Sequence, residues 1–177
     1  MKGRVKVAVA GALATAAAAS AAVAFAGGGM PSFHERLSGY QEDPLVLSTT
    51  GSGRFQAEIG AKDQEISYRL SYSDLEGDVT QAHIHLGGRA QSGGIIVFLC
   101  SNLGNGPAGT QACPPAPATV TDTLRPQDIV GPAGQGIDAG EFGELVQAMR
   151  SGVTYTNVHS SKYEGGEIRA QLRTRRH

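Results

Sequence analysis

The chain has 177 residues, of which 40% are hydrophobic and 18% are charged, and its formal net charge is −1 at pH 7. This length fits one ordinary domain and leaves little room for a second one. The near-neutral charge argues against nucleic acid as a partner. The 25 glycines and 8 prolines, which follow no collagen period, indicate a folded protein rich in turns.

Residues 1–26 have the composition of a secretory signal peptide. Three cations within the first six residues precede an uncharged, Ala/Val-rich run from Val7 to Phe25, and Ala24-Phe25-Ala26 is a sequence that a signal peptidase accepts. Cleavage before Gly27 would leave a secreted domain of residues 27–177 with a net charge of −4 and no stable membrane anchor. The alternative is a retained anchor, although the Ala, Gly, Ser and Thr content makes this run weakly hydrophobic.

Two cysteines, Cys100 and Cys113, enclose twelve residues rich in Gly and Asn. Outside the cytosol, two cysteines so close together usually pair and fix a loop. A redox-active dithiol is the alternative, but such sites normally use a C-x-x-C spacing. We therefore predict a structural disulfide.

Alternation of apolar and polar residues predicts mostly β-strands, most clearly where Ile66, Tyr68, Leu70 and Tyr72 alternate with polar residues. Clusters of Gly, Pro, Asp and Asn separate the segments. We predict strands at Phe33–Gly39, Gly53–Gly60, Glu65–Tyr72, Val79–Leu86, Gly94–Cys100, Ala118–Leu124, Val153–His159 and Glu167–Arg173.

One segment, Asp138–Arg150, has helical spacing. Asp138 can cap the helix, Glu141 follows three residues later, and an apolar stripe recurs every three or four residues, which suits packing on a sheet. The stretches Ser101–Pro117 and Arg125–Ile137 have no periodicity, and we expect surface loops there. The fold class predicted is mainly β: an antiparallel, Greek-key-like β-sandwich of about eight strands, with one short α-helix before the last two strands.

The histidines are the residues that suggest chemistry. His34 and His177 lie near the ends of the predicted secreted domain, and we expect both to be solvated. His83 and His85 are two residues apart on a predicted strand and therefore share one face, and His159 ends another strand. Three imidazoles with an open fourth position would suit zinc or copper. The alternatives are a cluster of structural hydrogen bonds without an ion, or solvated histidines without a shared role.

Glu167 and Arg169 alternate with apolar residues in the last predicted strand. A same-face ion pair is the simpler interpretation, and support of a metal or anion site by the two residues is the alternative. No common motif for hydrolase, phosphate-binding or dinucleotide-binding sites is present in the sequence. Gly87-Gly88 and Gly93-Gly94 lie between two strands and are interpreted as hairpin glycines.

Several segments together resemble the CHRD domain, a module named for chordin and also found in secreted bacterial proteins. They are LSGYQEDP, GDVTQAHIHLGG, GGIIVFL, EFGELVQAMRSGVTYTNVHS and GGEIRAQL, and they extend from Leu37 to Leu172. The resemblance implies a secreted β-sandwich with no established reaction, and it suggests that His159 lies on a strand beside His83 and His85. The His-x-His strand is also similar to that of copper-zinc superoxide dismutase, but the chain lacks further histidines for a second metal.

Two functional hypotheses follow. The first is a secreted binding or structural module for an extracellular protein or surface ligand that the sequence does not identify, with a possible metal site at its three histidines. The alternative is a metal-dependent extracellular enzyme or metal carrier that uses His83, His85 and His159. The absence of enzyme motifs favours the first hypothesis.

Overall fold

A computed structural model describes residues 31–174. The predicted signal peptide at residues 1–26 and His177 lie outside the described residues. Within them, no helix combines the length and the apolar character needed to cross a membrane. The strands are β1 (Ser32–Ser38), β2 (Ser52–Ile59), β3 (Ile66–Ser73), β4 (Val79–Leu86), β5 (Ile95–Ser101), β6 (Ala118–Leu124), β7 (Thr154–Ser160) and β8 (Ile168–Gln171), and helix α1 is Phe142–Arg150.

All eight strands belong to one antiparallel sheet in the order β5-β4-β7-β8-β1-β2-β3-β6. The sheet curves until it is nearly closed into a barrel, and the segment after β6 narrows the remaining gap through a bridge between Ile129 and Val97 of β5. The predicted mainly-β, antiparallel fold with a helix before the last two strands is confirmed. The strands form one curved sheet, however, and not the two separate sheets of the predicted sandwich.

The sheet has two regular halves, because β1 and β8 are joined through a single register pair, Ser38 with Arg169. Side chains of alternate residues from both halves meet in one buried core that includes Phe55, Ile84 and Val158. The Tyr68 hydroxyl donates a 2.7 Å hydrogen bond to the Leu99 carbonyl and so ties β3 to β5 across this core. The period of two along each strand therefore positions both the core and the outer face.

Helix α1 is shorter than the sequence pattern predicts. Its apolar stripe, which includes Phe142, Leu145 and Met149, is buried against the core, as expected. The helix begins after Gly140, whose φ of +87° lies outside the helical region. Glu141 still reaches back, and its carboxylate accepts a 2.7 Å hydrogen bond from the Asp138 backbone N–H. A turn joins these two residues, since the Glu141 N–H also donates to the Asp138 carbonyl, but it precedes the helix, and Asp138 is not the helix cap.

The predicted disulfide between Cys100 and Cys113 is confirmed. Both half-cystines are buried. Asn102 reinforces the loop between them, since its side chain bonds to the Val79 carbonyl at 3.0 Å and to the Cys113 carbonyl and N–H at 2.9 Å. The long loop after β5 is therefore fixed to the start of β4.

We expect replacement of both cysteines by serine to lower the free energy of unfolding by about 3 kcal/mol, because the unfolded chain loses a constraint on its entropy. Urea denaturation of the variant and of the unreduced protein measures this difference. Equal midpoints, or two free thiols in the denatured unreduced protein, would contradict the prediction.

Candidate functional site: three buried histidines

The site lies on the outer face of neighbouring strands, opposite the core. In the register of β4 with β7, His83 is opposite Asn157, His85 is opposite Tyr155 and Gln81 is opposite His159. The alternate residues of β4, Ala82 and Ile84, belong to the core. The period of two thus places all three imidazoles on one face.

The three histidines converge, as the resemblance suggested. The ring centre of His83 is 5.3 Å from that of His85 and 5.0 Å from that of His159, and the His85 and His159 rings are 6.1 Å apart. One nitrogen from each ring lies within 4.8 Å of the others. Exposed fractions of 0% for His83, 8% for His85 and 7% for His159 show that the cluster is covered.

Backbone carbonyls determine the tautomers of two rings. Nδ1 of His85 lies 3.0 Å from the Gly93 carbonyl oxygen, and Nδ1 of His159 lies 2.8 Å from the Glu164 carbonyl oxygen. A carbonyl oxygen can only accept, so Nδ1 carries the hydrogen in both rings and donates it. In the neutral imidazole, Nε2 of each ring is then left with a free lone pair.

The tautomer of His83 follows from that of His159. Nδ1 of His83 lies 3.2 Å from Nε2 of His159. Because Nε2 of His159 has no hydrogen, Nδ1 of His83 is the donor and Nε2 of His83 also keeps a lone pair. Nε2 of His83 and Nε2 of His85 are both buried without a hydrogen-bond partner in the described structure. The cluster therefore presents basic nitrogens that the protein itself does not satisfy.

Aromatic rings and a guanidinium surround the cluster. Phe98 meets His83 edge-on at 4.5 Å, and Tyr155 stacks on His85 at 4.7 Å with an interplanar angle of 3°. The Arg169 guanidinium carbon lies 3.5 Å from the centre of the Tyr155 ring. These contacts hold the imidazole rings in an environment of low polarity. The Arg169 guanidinium lies at the edge of that environment, against the Tyr155 ring.

Burial and the neighbouring rings suppress protonation of the cluster. Desolvation, with repulsion from the other two imidazoles, lowers the pKa of His83 from 6.5 to about 2. Desolvation is also the largest cause for His85, whose pKa falls to about 4, and it lowers the pKa of His159. All three rings are therefore neutral at pH 7, which is the state that a metal requires.

Two residues of the site, Glu42 and Asn157, were not predicted from the sequence. The Asn157 amide donates to both carboxylate oxygens of Glu42 at 3.0 Å, and its own Oδ1 is buried without a partner. Desolvation raises the pKa of Glu42 from 4.5 to about 7, against the opposing effects of Asn157 and Arg169. Strand periodicity could have found Asn157, because it shares the face of His159, but no local pattern indicates Glu42.

Glu167 and Arg169 are both buried, and each has partners other than the predicted one. Glu167 accepts hydrogen bonds from the Thr49 hydroxyl at 2.6 Å and from the Glu76 N–H at 2.7 Å, and Arg169 donates to the carbonyls of Gly88 and Gln91. Within residues 31–174 the two form no ion pair with each other. Arg169 reaches the site through Tyr155, whereas the side-chain hydrogen bonds of Glu167 are with loop residues. Whether either residue supports a bound metal stays a prediction.

His34 is less exposed to solvent than the sequence analysis predicted. It is half-buried on β1, and its Nδ1 lies 3.3 Å from Nε2 of Gln56 on β2. The regular pairing of β1 with β2 brings the two side chains together on the sheet surface. His34 thus belongs to a different face of the molecule from the histidine cluster.

Gly93 belongs to the loop between β4 and β5 and is required by close packing. A Cβ at this position would lie 1.6 Å from the Leu86 carbonyl oxygen. Gly93 also supplies the carbonyl that accepts from His85, and its N–H donates to the Tyr155 hydroxyl at 3.2 Å. The paired glycines here are thus site residues as well as turn residues.

Comparison with known proteins gives one match. The family model of the CHRD domain matches residues 33–172. The chain belongs to the CHRD domain family. No curated protein and no solved structure shows significant similarity to the chain. The matched range contains every residue of the histidine cluster, so the cluster is part of the CHRD domain and lies within its β-sheet.

We expect the free energy of unfolding of the metal-free CHRD domain to fall as pH drops below about 6.5. Unfolded histidines bind protons near that pH, whereas folded His85 and His83 stay neutral until about pH 4 and about pH 2. The unfolded state then binds more protons and is favoured. Glu42 opposes this between its unfolded value of 4.5 and its folded value of about 7, but one carboxyl offsets only one histidine.

Urea denaturation with a chelator present, repeated across this pH window, measures the slope. The H85Q variant should have a shallower slope than the unmodified protein, and E42Q a steeper one. Identical slopes for H85Q and the unmodified protein would show that His85 is not a buried neutral group.

We expect G93A to lower the free energy of unfolding by more than about 2 kcal/mol, because the added methyl group must displace the β4 backbone. The matched control is G134A, where a Cβ would meet nothing within 4 Å. Thermal denaturation compares the two variants. Equal losses of stability in both would contradict the close packing at Gly93.

Proposed function

We propose that this CHRD domain is an extracytoplasmic binding module that holds a zinc or copper ion at His83, His85 and His159. The observation that carries the proposal is the pair of buried Nε2 atoms, on His83 and His85, that have no hydrogen-bond partner. A buried polar atom left unsatisfied costs about 1–3 kcal/mol. An ion bound to these nitrogens would remove that cost.

The donor set fits such an ion. All three ligands are imidazoles, which suit zinc and copper, and the site offers no thiolate. Carbonyl acceptors fix the Nδ1 hydrogens of His85 and His159, as they commonly do for metal-bound histidines. Ligands at ~2.0–2.1 Å from a tetrahedral ion lie about 3.4 Å apart. Nitrogens that lie within 4.8 Å reach this spacing by small ring movements, in which Nε2 of His159 exchanges the hydrogen bond from His83 for the ion.

Asn157 adds a further polar atom to the site. Its Oδ1 is buried without a partner on the strand position opposite His83. Its amide nitrogen is already committed to Glu42. An unsatisfied acceptor beside the imidazoles supports a site that is completed by something polar, either the ion itself or a water molecule.

Burial favours binding over catalysis. The exposed fractions of the three histidines do not exceed 8%, so a substrate could reach a bound ion only after the covering loops moved. A bound zinc or copper ion would supply positive charge and a Lewis acid. The role supported best is a binding or structural one, and a metal-dependent enzyme or a metal carrier is the second candidate.

Other features support a place outside the cytoplasm. The disulfide between Cys100 and Cys113 is typical of oxidising compartments. The amino-terminal sequence at residues 1–26 has the pattern of a secretory signal. The partner would then be an extracellular protein or a surface ligand, and the next subsection proposes a chemical class for it.

We expect the untagged domain, purified after export, to contain about one zinc or copper ion per chain by elemental analysis. Chelation should lower the melting temperature, and re-addition of one of the two metals should restore it, since a ligand at 100 times its Kd stabilises the folded state by ~2.7 kcal/mol. The H83A/H85A variant should lose the ion and the response, and H34A should keep both. A folded domain that neither contains nor responds to either metal would overturn the proposal.

A further inference from the structure

The outer face of β1, β2, β3 and β6 carries rows of polar side chains that the strand register aligns. One row consists of Arg36, Arg54, Ser71 and Thr119, and the next consists of His34, Gln56, Arg69 and Thr121. A row of three serines, Ser38, Ser52 and Ser73, borders the first. In strand order, β8 separates this half of the sheet from β7 and β4, which hold the histidine cluster.

The arginines of this face have no acidic partner among the described residues. Arg36, Arg54 and Arg69 are exposed and take part in none of the ion pairs of residues 31–174. The exposed Arg125 and Arg150, by contrast, pair with Glu65 and Asp63. The carboxylate of Glu58 lies on the same face, but in the row beyond His34, at the end away from Arg36.

The arrangement is unfavourable for the isolated domain. Arg36 and Arg54 are directly opposite each other in the antiparallel pair, and like charges in such a position destabilise a sheet. Arg69 is the diagonal neighbour of Arg54 on the adjacent strand, and the Cα atoms of such neighbours lie about 7–8 Å apart. An anion placed between these guanidinium groups would convert the repulsion into attraction.

The arginines Arg36 and Arg54 line a groove on the surface. A depression of about 830 Å³ runs over the surface and is lined by Arg36, Arg54 and hydroxyl groups that include Ser38, Ser52, Ser71 and Thr119. Guanidinium groups bind carboxylate, sulfate or phosphate in bidentate fashion, and hydroxyl groups exchange hydrogen bonds with other hydroxyl groups. The combination matches a ligand that is both anionic and rich in hydroxyl groups.

We propose that this arginine face, formed by Arg36, Arg54, Arg69 and the surrounding hydroxyl groups, is a binding site for an anionic polysaccharide. The rows contain no exposed Phe, Tyr or Trp ring, which favours a polysaccharide over a single-stranded nucleic acid, because the latter would use such rings for base stacking. Tyr72 of β3 lines the depression, but its ring is buried and its hydroxyl donates a 2.6 Å hydrogen bond to the Pro114 carbonyl, so it offers no surface for stacking. The site does not depend on metal at the histidine cluster.

The test is titration calorimetry of the full secreted domain with polygalacturonate, which is carboxylated, and with dextran sulfate, at low and at physiological salt. At least one polymer should bind, more weakly at higher salt because exposed charges are screened, and neutral dextran should not. The Kd of the R36Q/R54Q variant should be at least about tenfold higher than that of the unmodified domain, which corresponds to at least ~1.4 kcal/mol.

The matched control is R125Q/R150Q, which removes the same charge from exposed arginines outside this face and should bind like the unmodified domain. Circular dichroism checks that both variants are folded. Equal weakening in the two double variants, no binding of either anionic polymer, or equally tight binding of oligothymidylate would overturn the proposal. The H83A/H85A variant should retain polysaccharide binding whether or not the domain holds a metal.

Discussion

The register of β4 on β7 is the constraint on which the site depends. It places His83 beside Asn157 and His85 beside Tyr155, on the face opposite the core. A shift of one residue would turn every imidazole into the apolar interior and every core residue outward. Ala82 and Ile84 therefore stabilise the site indirectly, because their burial favours one register over the other. The chemistry of the outer face is determined by the packing of the inner face.

Covering a polar face is costly, and the loops offset that cost with backbone groups. The Gly93 and Glu164 carbonyls accept from His85 and His159, and two further carbonyls accept from Arg169. Such acceptors are available only where the backbone approaches closely, which explains the glycine at position 93. The loops satisfy the Nδ1 side of the imidazoles and leave the Nε2 side of His83 and His85 without a partner. This asymmetry is the observation that favours the proposed ligand site over a purely structural hydrogen-bond cluster.

The sequence predicted the structure well where apolar and polar residues alternate along a strand. Alternation predicted the strands and the shared face of His83 and His85, whereas the approach of His159 required the family resemblance, because strand order is not a local property. Glu42 could not be predicted, since it meets Asn157 across 115 residues through a loop without periodicity. The helix began late because Gly140 adopts a positive φ, which the apolar stripe does not encode. The ion pair expected between Glu167 and Arg169 does not form, because each side chain makes its hydrogen bonds with loop residues instead.

The two halves of the sheet have opposite outward chemistry, and the single pair between Ser38 and Arg169 joins them. On one half, buried imidazoles are kept neutral by desolvation and are suited to a small ion. On the other, exposed arginines keep their charge in water and are suited to an extended anion. Since screening by salt acts on the exposed half and burial protects the other, ionic strength should affect the two sites separately. On the two proposals together, the domain would attach to a charged surface without changing the protonation of its histidine cluster.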